Sequence, residues 1–372
     1  MAGIHGRPAA AGRGGGHRRR LAAGVAAAVA LAFAATACSS GSTSGSSGTS
    51  TTAPDPHRLT VMTRNMYFGA DLSPLFGATA AQLPALSAAA YKQMQANVPA
   101  DRMVSLANEI ARARPDLVAL QEAVEWKVQA PAAAQPAPLY DFVALLLQDL
   151  GKAGAHYGVV STSNGFAGAL PVPGVGVVSL QDRDVVLSRA NVAGLSLSNP
   201  KAGTYTDKLM LTVAGVQIPV VRGWASIDGS LSGRPFAFVG THLEAYSDPV
   251  RDAQEAQLLS MVGSEQVPVI LAGDFNSPAT GTGSNAYQVA RQHGLGDAWL
   301  EANPSSPGNT YGYSADLTTG SMYQRIDFVL LKGPFKAERA VVVGVDPAEK
   351  TPTGRWPSDH AGLAAQLVVP AS

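Results

Sequence analysis

The sequence predicts an α/β fold, and three observations predict it. Short apolar runs rich in β-branched residues alternate with segments of helical periodicity, turn formers bound these runs, and several of the runs end in an acid, an amide or a histidine. The clearest run is Pro268 to Ala272, read as a buried strand that Gly273 ends. Beyond it Asp274 and Asn276 project from the strand end while Phe275 turns to the opposite side, because side chains alternate along extended backbone. Taken alone, Gly273-Asp274-Phe275-Asn276-Ser277-Pro278 also fits an Asx turn leaving a core strand. Repetition of the pattern at other strand ends is what points to a site.

With 372 residues, 46% hydrophobic and 15% charged, the chain can bury a large core in one or two domains. Residues 1–37 carry no acid, and Arg18-Arg19-Arg20 precede an apolar, alanine-rich run from Leu21 to Ala35, the layout of an export signal rather than a membrane span. The arginines also weakly resemble a twin-arginine signal. Ala35-Thr36-Ala37-Cys38 has small residues ahead of the only cysteine, which resembles a bacterial lipobox. Lipidation would make Cys38 the mature N-terminus and anchor the protein at the outer face of the cytoplasmic membrane. An ordinary cleavage site and a secreted protein are the alternative. Ser39 to Pro56, rich in Ser, Thr and Gly, reads as a tether reaching on the order of 25 Å. The expected organisation is therefore a signal over 1–37, lipobox and linker over 38–58, and one catalytic domain over 59–370, acting as a monomer. Removing the signal's five basic residues from 27 leaves 22 against 27 acidic, a net charge of −5. That balance counts against a nucleic-acid substrate without excluding it.

Leu59 to Asn65 alternates as a strand and ends in an amide. Met66 to Val98 is a long, partly helical connection. Asp101 to Arg114 is an amphipathic helix with Met103, Leu106, Ala107 and Ile110 on one face and Pro115 after it. Asp116 to Gln121 is an apolar strand ending at Glu122. Ala130 to Pro138 reads as a loop, Tyr140 to Leu150 as a helix, and the Gly/Pro-interrupted Phe166 to Val178 as a loosely packed surface loop. Arg183 to Arg189 is a strand, and Tyr205 to Trp224 a hairpin turning at Gly215. Phe236 to Leu243 is a strand carrying His242, and Val250 to Met261 a helix. Tyr287 to His293 is helical and Asn303 to Gly320 a long loop. Arg325 to Leu331 is a strand with an acid, Asp327, inside it, which is costly unless paired. Ser358-Asp359-His360 then leads into a closing strand, Ala361 to Val369.

Arg64-Asn65, Leu120-Gln121-Glu122, Gly240-Thr241-His242-Leu243, Gly273-Asp274-Phe275-Asn276, Arg325-Ile326-Asp327 and Ser358-Asp359-His360 together resemble the endonuclease/exonuclease/phosphatase family, in the family's order and over Leu59 to Val369. The resemblance implies a DNase I-like four-layer α/β sandwich, with two packed mixed sheets flanked by helices, and metal-dependent hydrolysis of a phosphate ester.

It also implies roles. Asn65, Glu122 and Asp359 would hold Mg²⁺, or Mn²⁺ or Ca²⁺, with the oxygen ligands that hard cations prefer. His360, oriented by Asp327, would position or deprotonate the attacking water, and His242 would donate to the phosphoryl or leaving oxygen. Asp274 and Asn276 would place water and phosphate. Arg222, followed by Gly223-Trp224, either faces the phosphate or stacks on that tryptophan. Two departures from better-known members, Met66 to Asp71 after Asn65 and Asp182-Arg183-Asp184 ahead of the middle strand, leave the substrate open among lipid head groups, soluble phosphoesters and nucleic acid. A surface-binding lipoprotein that keeps the fold without catalysis is the competing class, and the retained His/Asp/Glu/Asn set argues against it.

Overall fold

The computed structural model describes residues 57–371; the expected export signal, Cys38 and the expected tether lie outside the described residues. Two sheets face each other. The eight-stranded sheet runs Lys336–Val343, Gly362–Val368, Arg58–Asn65, Leu117–Gln121, Gly176–Arg189, Glu125–Gln129, Ala137–Asp141, with Tyr157–Val172 also paired to Gly176–Arg189. The six-stranded sheet runs Gly296–Asp297, Asp327–Lys332, Val269–Asp274, Arg234–His242, Gly223–Leu231, Leu195–Thr204.

Strand periodicity sorts the apolar side chains into layers. Leu59, Val61, Ile270 and Ala272 turn into the core between the sheets, and each fully buried leucine, valine or isoleucine contributes roughly 1.5–3 kcal/mol. Their neighbours turn outward. Met62, Val118 and Leu187 meet Met103, Leu106 and Ile110 of the helix Pro99–Ala113 and Phe142 and Leu146 of the helix Phe142–Lys152. On the other sheet, Val239, Val269 and Leu271 meet Leu258 and Val262 of the helix Asp248–Ser264 and Ala290 of the helix Ala286–Gln292. Helix, sheet, sheet and helix make the expected four-layer α/β sandwich. Among the described residues no helix is long and apolar enough to cross a membrane.

Register sets up the site. The parallel pairing of Arg234–His242 with Val269–Asp274 puts His242 opposite Asp274, and antiparallel pairing with the next strand puts Asp274 opposite Asp327. In the other sheet Asn65 stands opposite Gln121, one residue ahead of Glu122. Gly273 does not end its strand but lies within it, where a Cβ would come within 2.1 Å of the Thr241 carbonyl oxygen.

Other segments also differ from the sequence reading. Phe166 to Val178 is no loop: it is the end of a long hairpin, Tyr157–Val172 and Gly176–Arg189, whose turn forms where Pro173 and Gly174 sit. Part of the expected Ala130–Pro138 loop joins the strand Ala137–Asp141, and the long loop after Asn303 contains Tyr311–Tyr313, paired with Gly320–Gln324. Glycine and proline mark turns, but in these strands they also sit inside the ladders.

Candidate active site

The row His242, Asp274, Asp327 forms one edge of the site, and His360 completes it from the strand-leading segment of the other sheet. Asp327 is fully buried, and its Oδ2 accepts from His360 Nδ1 at 2.9 Å, so the acid inside an apolar strand has the histidine partner that its burial requires. The peptide N–H groups of Ile326 and Asp327 donate to Thr310 Oγ1, each at 3.2 Å. Arg64, itself buried and paired with Glu109 at 3.0 Å, donates to the His360 carbonyl at 2.6 Å. The Ser358 hydroxyl accepts from the His360 N–H at 3.2 Å, and the Tyr311 ring lies 4.8 Å from the imidazole. His360 is thus fixed through its backbone, one ring nitrogen and one ring face.

Asp274 lies at the centre. Its Oδ2 is 3.6 Å from His242 Nε2 and 3.7 Å from His360 Nε2, and it accepts from Asn65 Nδ2 at 3.0 Å. Its Oδ1 accepts from the Asn276 N–H at 2.8 Å. Burial and the charge of Asp327 push the Asp274 carboxyl up to about 6. Burial opposes a charged His360, but Asp327, Asp274 and Asp359 outweigh it and raise the imidazole to about 10.

His242 has the opposite environment. Burial, Arg222 and His360 hold it well below the usual histidine range. Arg222 Nη1 lies 2.9 Å from His242 Nδ1 and 3.5 Å from Asp182 Oδ2. The guanidinium therefore sits behind His242, in contact with the imidazole and with Asp182. Asp184 Oδ1 lies 4.0 Å from the same Nδ1, and burial and Asp182 raise that carboxyl well above the usual range.

Glu122 follows its strand in a left-handed conformation, φ 53°, as do Tyr67 at 58° and Asn276 at 48°. All three line the same cleft, and non-glycine residues at positive φ persist where their surroundings enforce them, often at functional sites. Glu122 Oε2 accepts from the Phe68 N–H at 2.8 Å and Oε1 from Asn65 Nδ2 at 3.3 Å. Burial, Asp359 and Asp182 push its carboxyl up to about 8. An acid with this excess of negative neighbours, facing the cleft beside Asp359, fits a hard divalent cation by its donor chemistry.

Asn65, expected among the ligands, stands between two acids. Its Oδ1 accepts from the Tyr67 N–H at 2.9 Å, and its nitrogen points at the carboxylates of Glu122 and Asp274. A flipped amide would set oxygen against both acids and nitrogen against an N–H, so the amide bridges two carboxylates and keeps one Oδ1 lone pair beyond the Tyr67 N–H. Asn276 donates from Nδ2 to the Leu243 carbonyl at 3.0 Å, which ties it to the strand end carrying His242.

Glu122, Arg222, His242, Asp274, Asn276, Asp359 and His360 all line one cleft of about 670 Å³; Asn65 and Asp327 lie fully buried behind it. Asp274, Asp327 and His360 also bring their ligand atoms within 4.8 Å of one another, a group that could hold a metal ion. Arg102 was not singled out by the sequence. It is fully buried, and its Nη1 donates to the carbonyls of Met66 at 2.7 Å and Pro357 at 2.8 Å, joining the segment after Asn65 to the segment before Asp359. The signal was its spacing, since Arg102, Leu106 and Ile110 share one helix face.

The family model described as endonuclease/exonuclease/phosphatase matches residues 86–360. Among solved structures, an endonuclease/exonuclease/phosphatase family protein from Leptotrichia buccalis is 18% identical with a TM-score of 0.54, covering 83% of this chain and 99% of that one. A mannosyl-6-phosphatase from Bacteroides thetaiotaomicron is 17% identical with a TM-score of 0.52, covering 83% and 99%. A further endonuclease/exonuclease/phosphatase family protein from the same organism is 15% identical with a TM-score of 0.54, covering 84% and 98%. Likeness at these identities shows the fold. No curated protein matches the chain.

Proposed function

Because the chain belongs to the endonuclease/exonuclease/phosphatase family, we propose that it is a metal-dependent phosphoesterase, cleaving a phosphodiester or phosphomonoester at the outer cell surface. The observation that carries the reading is the shared carboxylate: the Nε2 atoms of His242 and His360 both face Asp274 Oδ2, at 3.6 and 3.7 Å, on the wall of the cleft.

Hydrolysis requires an oriented water, stabilised phosphoryl oxygens and a proton for the leaving oxygen. His360 commits Nδ1 to Asp327 and, held as the imidazolium, carries a proton on Nε2 beside Asp274, so it steadies the Asp274 carboxylate, which orients the attacking water and takes up its proton. As water's oxygen bonds to phosphorus and the ester P–O bond breaks, the neutral His242 donates a hydrogen bond from Nε2 to the leaving oxygen, which takes its proton from solvent. Asn276, tied to Leu243, holds a phosphoryl oxygen. A divalent cation, Mg²⁺ by its preference for oxygen ligands, would be held by Glu122 and Asp359 and would neutralise charge on the phosphoryl group.

The surface location rests on the export-type start of the chain and Cys38, and a monomer suffices because one chain supplies every site residue. The test is a panel with and without Mg²⁺: bis(p-nitrophenyl) phosphate, p-nitrophenyl phosphate, plasmid DNA and sphingomyelin. Cation-dependent cleavage of at least one is expected. Cleavage of none, by folded and cation-saturated protein, overturns the proposal.

A further inference from the structure

The cleft extends well past the catalytic groups. Three segments that the catalytic set does not use wall its far side: the stretch through the 3₁₀ turn Ser73–Leu75 to the helix Leu83–Ala96, the end of the long hairpin, and the small hairpin Leu209–Val213 and Val216–Val220. They are tied to one another. The Gly77 N–H donates to the Thr212 carbonyl at 2.8 Å, the Ala214 N–H to the Ala78 carbonyl at 2.7 Å, and the Ser87 hydroxyl to the Pro171 carbonyl at 2.8 Å.

What these segments present to the cleft is apolar. The small hairpin alternates, with Leu211 directly opposite Ile218 on the face that lines the cleft and Met210 exposed on the other. An isolated two-stranded hairpin is marginal in water, so an apolar face held against a cavity calls for an occupant. Leu72 and Phe76 face it from the first segment, Phe166 and Leu170 from the long hairpin. Charge points the same way. Among the described residues, the basic side chains lining the cleft are Arg222 and Arg251, and both are engaged, Arg251 with the carbonyls of Glu244 and Ala245 at 2.7 and 3.0 Å. Asp71, Glu122, Asp248, Asp274 and Asp359 also line it. A polyanion would meet acids where it needs lysines and arginines. A volume of about 670 Å³ is that of a site for one small ligand, within the usual range of roughly 300–1,000 Å³.

We propose that the substrate is an amphiphile, a phosphate ester whose apolar chain lies against Leu72, Phe76, Phe166, Leu170, Leu211 and Ile218 while its phosphate sits between His242, Asp274 and His360. This rests on the phosphoesterase reading and names the substrate class of that site.

The experiment measures kcat/KM for p-nitrophenyl methyl, butyl and octyl phosphates and for the p-nitrophenyl ester of thymidine 5′-phosphate, with Mg²⁺ and below micelle-forming concentrations. The reacting centre is constant, so only the apolar group varies. Burying a methylene favours binding about threefold to fourfold, so the octyl ester should exceed the methyl ester by at least about 100-fold, with the thymidine ester near the methyl one. Ile218→Asp and Phe76→Ser, on two different segments, should each flatten the series. A series that is flat in the wild type, or led by the thymidine ester, overturns the amphiphile and leaves the phosphoesterase standing. Failure to cleave any of the four diesters overturns the amphiphile, and failure on p-nitrophenyl phosphate as well overturns the phosphoesterase.

Discussion

Arg222 Nη1 and His242 Nδ1 lie 2.9 Å apart, deep in the protein. A guanidinium offers only donors, so Nδ1 must accept and the imidazole proton resides on Nε2, the atom that faces Asp274 and the cleft. The arginine thus sets the tautomer that a leaving-group donor needs. His242→Ala should lower kcat by about 10²- to 10³-fold, the usual cost of losing one positioned hydrogen-bond donor to developing charge. Arg222→Met should lower kcat by less, about 10- to 100-fold, with KM little changed, and Arg222→Lys should recover part of the loss. Histidine ¹⁵N chemical shifts provide the readout that a purely structural role would not move: His242 is Nε2-protonated in the wild type and loses that preference in Arg222→Met. A wild-type Nδ1–H tautomer would sink the idea.

Glu122 offers a second handle. Its carboxyl is pushed up to about 8 by burial and by Asp359 and Asp182, so a bound cation is what would hold it ionised, and glutamine cannot supply that charge. Glu122→Gln should bind Mn²⁺ at least tenfold more weakly by calorimetry or paramagnetic titration, and should lose most activity. Chelation should abolish activity in the wild type, and added Mg²⁺ should restore it. Activity that survives exhaustive chelation would show that Glu122 serves another purpose.

Much of this site could be read along the chain because the fold puts polar residues where apolar strands stop. His242, Asp274 and Asp327 come from three separate stretches, yet register alone sets them side by side. What escaped the sequence reading was held by long-range contact. Arg102 resembles an ordinary charged residue on a helix until the carbonyls of Met66, Tyr67 and Pro357 converge on its guanidinium. The amide of Asn65 could offer oxygen or nitrogen to the site, and only the Tyr67 N–H decides between them. The long hairpin was hidden by its own composition: Gly168 and Pro171 read as loop formers, but the sheet accepts them opposite Leu180 and Val177.

Cys38 lies outside the described residues, and its chemistry is testable independently of the fold. If the residues ahead of it form a lipobox, protein extracted from membranes should begin at Cys38, and its N-terminal peptide should carry a diacylglyceryl group by mass spectrometry. Cys38→Ser should shift the protein from the membrane fraction to the medium. A mature N-terminus at any other residue would contradict the anchor and leave secretion as the route.

The last prediction separates the two histidines. Asp327 Oδ2 holds His360 Nδ1 at 2.9 Å, whereas His242 reaches Asp274 on its own and takes its support from Arg222. Residues that act as a unit give non-additive losses, because once one is gone the other has nothing left to orient. His360→Ala and Asp327→Ala should each lower kcat by several orders of magnitude. Asp327→Asn tests the same link with less disturbance, since a neutral amide keeps the volume but no longer favours the imidazolium. The Asp327/His360 double variant should be little worse than His360→Ala alone. Combining His242→Ala with either should cost more than that single variant, because supporting the leaving oxygen and handling the water are separate tasks. Circular dichroism and Mn²⁺ binding must first show the variants folded and able to bind the cation, because Asp327 is fully buried and its loss also strips a partner from the core. An additive Asp327/His360 cycle under those conditions would mean that the 2.9 Å contact supports the fold and not the chemistry.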